Sequence, residues 1–151
     1  MYNKDKGDAP NNLRRKFYMV KLIVGKKGTG KTKMLIEQVN AAAEASKGCV
    51  ICIEKGLTLN KDITHKARLV DTDSYGILDA TALYGFVAGV AASNYDITDI
   101  YLDSTLRICK SVEDMEQFLL KVEKLAENIN FTATVSLAPE EIPASLKAFI
   151  A

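Results

Sequence analysis

The chain has 151 residues, 48% hydrophobic and 26% charged, with 20 Lys+Arg against 19 Asp+Glu. That is room for one ordinary domain with one core rather than two. The longest nearly apolar run, residues 80–92, is far too short to cross a bilayer, and no charged segment followed by an apolar stretch and a cleavage site opens the chain, which argues against a membrane span and a secretory signal.

Three cysteines without dense spacing suit a reducing compartment, so a cytoplasmic protein held by its core is expected. The net charge of +1 hides an asymmetry: residues 1–33 carry ten Lys/Arg and two Asp, a net +8, which leaves −7 for the remainder. Such a basic end attracts anions, either nucleic acid or the phosphates of a small ligand, and composition does not separate the two.

Residues 1–15 lack apolar periodicity and read as a disordered lead-in, with a single domain over 16–151. Phe17 to Val24 is a compact apolar run ending at Gly25, the pattern of a buried strand. Thr32 to Ser46 is rich in helix formers and closes at Lys47-Gly48. Cys49 to Ile53 reads as a second strand, Gly56 to Lys66 as a polar loop, and Ala67 to Val70 as a short strand. Asp79, a good N-cap residue, opens a stretch through Ala92 expected to be a largely buried helix, with Gly85 and Gly89 spaced for close packing on a sheet. Ile97 to Leu102 predicts a strand ending at Asp103. Ser111 to Asp114 resembles a capping box, and Met115, Phe118, Leu119, Val122, Leu125 and Ile129 follow at helical spacing. The last strand is predicted over Phe131 to Leu137, followed by a short tail. Strands alternating with helices predict an α/β fold: a three-layer sandwich around a mainly parallel sheet of about five strands.

The most informative segment is Gly25-Lys26-Lys27-Gly28-Thr29-Gly30-Lys31-Thr32, which satisfies G-x-x-x-x-G-K-[ST] at every fixed position. A loop that wraps a phosphate turns its amides inward, and glycines allow the dihedrals and the close approach this needs. The helix that follows aims its free N–H groups and positive dipole end at the same anion. Lys31 would reach the β- and γ-phosphates of ATP and the Thr32 hydroxyl would ligate Mg²⁺. An acid at the tip of another buried strand should hold the same ion through water, and Asp103 fits; Asp96 and Asp99 come too early and read as solvated.

These residues resemble the P-loop NTPases, and the arrangement is most similar to the RecA/KaiC-type ATPase core over about residues 17–138. That resemblance implies ATP hydrolysis, with Glu54 at the end of the second strand polarising the attacking water and Ser136 sensing the γ-phosphate. An activating arginine would come from Arg14, Arg15, Arg68 or Arg107 of a neighbouring subunit, or from a partner protein. A second resemblance is to the MinD/ParA-type deviant Walker A, on Lys26 five residues before Lys31, although Lys27 stands where that motif has a glycine. It implies a nucleotide-gated regulatory or assembly module. A small-molecule or nucleoside kinase is a third class, against which the shortage of arginine counts.

Other features are weaker. Cys49 and Cys52 form C-x-x-C inside a strand, where they read as core cysteines. Asp71-Thr72-Asp73-Ser74 reads as turn chemistry. Tyr2, Arg14, Arg15, Lys16, Phe17 and Tyr18 interleave basic and aromatic residues as single-strand binders do, which keeps a nucleic-acid partner open.

Overall fold

The computed structural model describes residues 19–125 and 128–151. The expected lead-in, the Arg14-Arg15-Lys16 cluster and the start of the first strand at Phe17-Tyr18 lie outside them. Five strands, β1 (Val20–Val24), β2 (Cys49–Glu54), β3 (Ala67–Asp71), β4 (Ile97–Leu102) and β5 (Asn130–Val135), form one sheet in the order β1-β5-β4-β2-β3. Every pairing is parallel, so all five carboxyl ends lie along one edge of the domain. Among the described residues four helices accompany them: α1 (Lys31–Ala45), α2 (Ala80–Ser93), α3 (Thr105–Cys109) and α4 (Val112–Leu125).

Strand alternation divides the interior into two cores on opposite faces of the sheet. Leu22, Ile51, Ile53, Ile100, Leu102, Phe131, Ala133 and Val135 point to the larger one, where α2, α3 and α4 pack. Ile23, Val50, Cys52 and Tyr101 point to the other, which α1 covers through Leu35 and Val39. The stretch expected to be a polar loop contributes here: Leu59 and Ile63 are buried and extend the cover that a single helix leaves incomplete. On α4, Met115, Phe118, Leu119 and Val122 are all at most 2% exposed, each such burial contributing about 1.5–3 kcal/mol. The Ser111 hydroxyl caps the helix by accepting from the Asp114 amide at 3.1 Å. Ile129 lies beyond the helix, in the bend ahead of β5, and packs on the larger core from there.

Several expectations are corrected. The helix after Asp79 forms, and the Asp79 carboxylate caps it by accepting from the Ala82 amide at 2.8 Å. It is not largely buried: only Leu83 and Val87 are, and Gly85 and Gly89 face outward, with nothing within 4 Å of where a Cβ would stand. The α1 helix ends at Ala45 with Ser46 as its cap, the Ser46 hydroxyl accepting from the Gly48 amide at 3.0 Å. The last strand stops at Val135, short of Leu137. In the short tail that follows, residues Ala144–Phe149 form a 3₁₀ turn that buries Leu146 and Phe149. Ile150 then bridges Leu22 in parallel, and the Ala151 amide donates to the Leu22 carbonyl at 2.9 Å, partly covering the free edge of β1. No described helix is long and apolar enough to cross a membrane.

Cysteine accessibility follows from the same alternation. Cys52 and Cys109 are buried, and burial, reinforced by nearby carboxylates, pushes both thiols up to about 12. Cys49, expected in the core, is exposed at the start of β2. A thiol titration of the folded protein should therefore find one fast-reacting cysteine per chain, removed by Cys49→Ser. Two or three fast thiols would contradict this packing.

Candidate functional site

The loop Gly25–Thr32 leaves β1 at the carboxyl edge of the sheet and delivers the chain into α1. Gly28 and Gly30 hold φ values of +85° and +86°, the left-handed region that costs other residues about 1 kcal/mol or more. At Gly25 a Cβ would stand 2.5 Å from the Thr29 hydroxyl oxygen, so the close fold of the loop on itself requires glycine. The Lys26 carbonyl gathers the loop by accepting from the Thr29 amide (3.3 Å), the Thr29 hydroxyl (2.7 Å) and the Lys31 ammonium (2.8 Å).

Two consequences matter for chemistry. Lys31 is only 8% exposed, yet among the described residues no carboxylate lies within 4.0 Å of its ammonium, whose hydrogen bond goes to a neutral carbonyl. A buried charge without a counter-charge is costly unless an anion comes to it. In addition, α1 begins at Gly30 with no side-chain cap and no acidic residue in its first turn, so its free N–H groups and positive dipole end face the same space.

Across that space stand the tips of β4 and β5. Because β5 lies between β1 and β4 with Leu102 opposite Ala133, Asp103 comes level with Thr134. The Thr134 hydroxyl donates to Asp103 Oδ1 at 2.6 Å and accepts from the Ser104 amide at 3.3 Å. Both Asp103 oxygens also face the Thr32 hydroxyl, at 3.3 and 3.4 Å, longer than the 2.7–2.8 Å typical of a hydroxyl bond. Asp103 is 8% exposed. These hard oxygen donors suit Mg²⁺, which takes one or two protein ligands and completes its shell with water and phosphate oxygens. Among the described residues no cluster of three or more His, Cys, Asp or Glu offers a fuller cage.

Lys27, Gly28, Gly30, Lys31, Thr32, Asp103 and Ser136 line one cavity of about 420 Å³, together with Lys33, Ser104, Arg107 and Thr134. Its four cations against one carboxylate give it a net charge of +3. Gly25, Lys26 and Thr29 border an adjoining hollow of about 460 Å³, walled by Ile23, Val24, Met34, Ala138, Pro139 and Glu140, and Lys31 lines both. Ser136 is exposed, one residue past β5.

Glu54 lines neither space. It is 1% exposed, and Oε1 accepts from the Thr58 amide (3.0 Å) and hydroxyl (2.8 Å), while Oε2 accepts from the Leu59 amide (3.1 Å). The carboxylate thus fastens the turn that carries Leu59 into the smaller core. Asp71 does similar work one strand over. The Ser74 hydroxyl foremost, with the Gly56 and Asp73 amides, holds its carboxyl below the usual aspartate range against the opposing effect of burial. Of the arginines considered as donors from outside the chain, Arg107 lines this chain's own cavity. Arg68 sits at the amino end of β3, the opposite end of the sheet.

The sequence reading missed Thr134 altogether and named Arg107 only as a donor from outside the chain. Thr134 is a hydroxyl in an apolar strand, and its parity with Thr132, out of step with Phe131 and Ala133, was the available signal. The place of Arg107 in this chain's own cavity had no such signal, because only the turn after Asp103 brings it there. No protein-family model matches the chain, and no curated protein does.

If Glu54 is a structural acceptor, Glu54→Ala should lower stability by about 1–3 kcal/mol, the cost of leaving buried donors unpaired, as read by denaturant unfolding. An unchanged midpoint would mean that its carboxylate is free for other work.

Proposed function

We propose that the chain is an ATP-binding protein of the P-loop NTPase type, which holds the triphosphate with Mg²⁺ in the Gly25–Thr32 loop and hydrolyses it slowly. The observation that carries this reading is one cavity containing both the ammonium of Lys31, a largely buried residue with no carboxylate within 4.0 Å among the described residues, and a hydroxyl–carboxylate pair suited to a hard cation. A polyanion would satisfy Lys31 and the uncapped start of α1, and Thr32 and Asp103 would hold Mg²⁺, whose charge would offset that of the carboxylate. The adjoining hollow, with Ile23, Val24, Met34, Ala138 and Pro139 in its wall, would suit a nucleobase.

In hydrolysis the water oxygen bonds to the γ-phosphorus, and the bond to the β,γ-bridging oxygen breaks with its electron pair going to ADP. The proton of the water passes to the released phosphate or to solvent. Lys31 and the loop amides hold the charge that spreads over the phosphate oxygens. Thr134 positions Asp103 through the 2.6 Å bond.

A nucleotide-gated module of MinD/ParA type, binding without significant turnover, is the second reading. The engagement of Glu54 by Thr58 and Leu59 favours it, because that carboxylate would have to leave both partners before activating water.

Calorimetry with ATP, GTP and ADP in the presence of Mg²⁺, followed by phosphate release, tests the proposal. Wild type should bind ATP, and Lys31→Ala should bind it about 10- to 100-fold more weakly, the loss of a charge-assisted hydrogen bond. Equal affinity in the two proteins would refute the site. Release with water as sole acceptor marks an ATPase, binding alone marks the gated module, and release only after addition of a small metabolite marks a kinase.

A further inference from the structure

Building on the nucleotide-binding reading above, we propose that Arg107 is a cis-acting γ-phosphate contact, so that the chain completes its own phosphate site without an arginine from a second subunit.

The backbone around Arg107 is left-handed at both ends of its turn. Among the described residues only two non-glycine residues have positive φ, Ser104 at 62° and Lys110 at 74°. They bracket α3, a single helical turn that begins two residues after Asp103. Left-handed backbone at residues with side chains is strained, and such strain persists only where surrounding structure holds it. Here the anchors are plain: Thr105, Ile108 and Cys109 are at most 2% exposed and lock the turn into the larger core. The Lys110 amide closes it by donating to the Leu106 carbonyl at 2.8 Å.

With three of the turn's five residues facing the core, Arg107 points outward and lines the same cavity as Lys31, Thr32 and Asp103. Among the described residues its guanidinium has no carboxylate within 4.0 Å. A planar fork of N–H donors suits two oxygens of one phosphate. Placed on the Asp103 side of the cavity, across from the loop, it would meet the terminal phosphate rather than those nearer α1. As the water oxygen bonds to the γ-phosphorus and the bridging bond breaks toward ADP, the same N–H groups hold the γ-oxygens over which charge spreads.

The test compares wild type, Lys31→Ala, Arg107→Ala and Arg107→Lys by calorimetry with Mg²⁺·ADP and with the Mg²⁺ complex of the β,γ-imido analogue of ATP, and by phosphate release from ATP. For Arg107→Ala the ADP affinity should stay within about twofold, the analogue should bind about tenfold more weakly, and any turnover should drop at least about a hundredfold. Arg107→Lys should recover part of the analogue affinity but less of the turnover. An equimolar mixture of Lys31→Ala and Arg107→Ala should show no recovery. Recovery in the mixture would mean the arginine acts across subunits and would overturn the assignment, as would wild-type discrimination between ADP and the analogue in Arg107→Ala. Failure of wild type to bind either nucleotide would instead remove the reading on which the proposal rests.

Discussion

Lys31, a residue only 8% exposed whose ammonium, among the described residues, has only a neutral carbonyl to receive it, is the constraint around which the site is arranged. Burying a lone charge costs several kcal/mol, and proteins tolerate it where a ligand will supply the opposite charge. Around Lys31 the backbone gives no such charge: the loop closes on the Lys26 carbonyl, and α1 starts without a cap. The one carboxylate lining the cavity among the described residues, Asp103, is turned toward Thr32 and Thr134. Cation and carboxylate thus remain separate, each oriented toward the space between them.

Sheet topology makes that separation possible. Placing β5 between β1 and β4 sets the loop and the Asp103 tip one strand apart, and Thr134 spans the interval with a single hydroxyl. Adjacent β1 and β4 would bring Lys31 and Asp103 closer, where an ion pair could close the cavity. The parallel register also places the Glu54 and Asp71 tips on this edge, but both carboxylates are occupied by their own turns. The carboxyl edge therefore carries several acids, of which Asp103 is the one aimed into the cavity.

The five strands, the three long helices and the loop were legible because their signals are local: apolar runs, helical spacing, glycines ahead of Lys31. What sequence reasoning missed depends on contacts between distant segments. Glu54 at a strand end looks the same whether it faces solvent, substrate or the Thr58 turn, and only the fold of residues 55–59 decides. The exposure of Gly85 and Gly89 could not be read from an apolar stretch, since helix composition does not say how much of its circumference the sheet covers. Ser104 carries no hint of its left-handed backbone, so neither the turn it makes nor the position of Arg107 was visible. Ser136, expected near the end of the last strand, lies just beyond it and borders the cavity.

The Mg²⁺ dependence of nucleotide affinity tests most directly whether Lys31 and Asp103 serve one ligand. ATP binding would be measured by calorimetry with Mg²⁺ and with chelator, in wild type and in Asp103→Asn. The expected result is tighter ATP binding with Mg²⁺ in wild type and a response reduced at least about tenfold in the variant, with residual binding through Lys31 in both. An identical Mg²⁺ response in the two proteins, or no ATP binding by wild type under either condition, would contradict it.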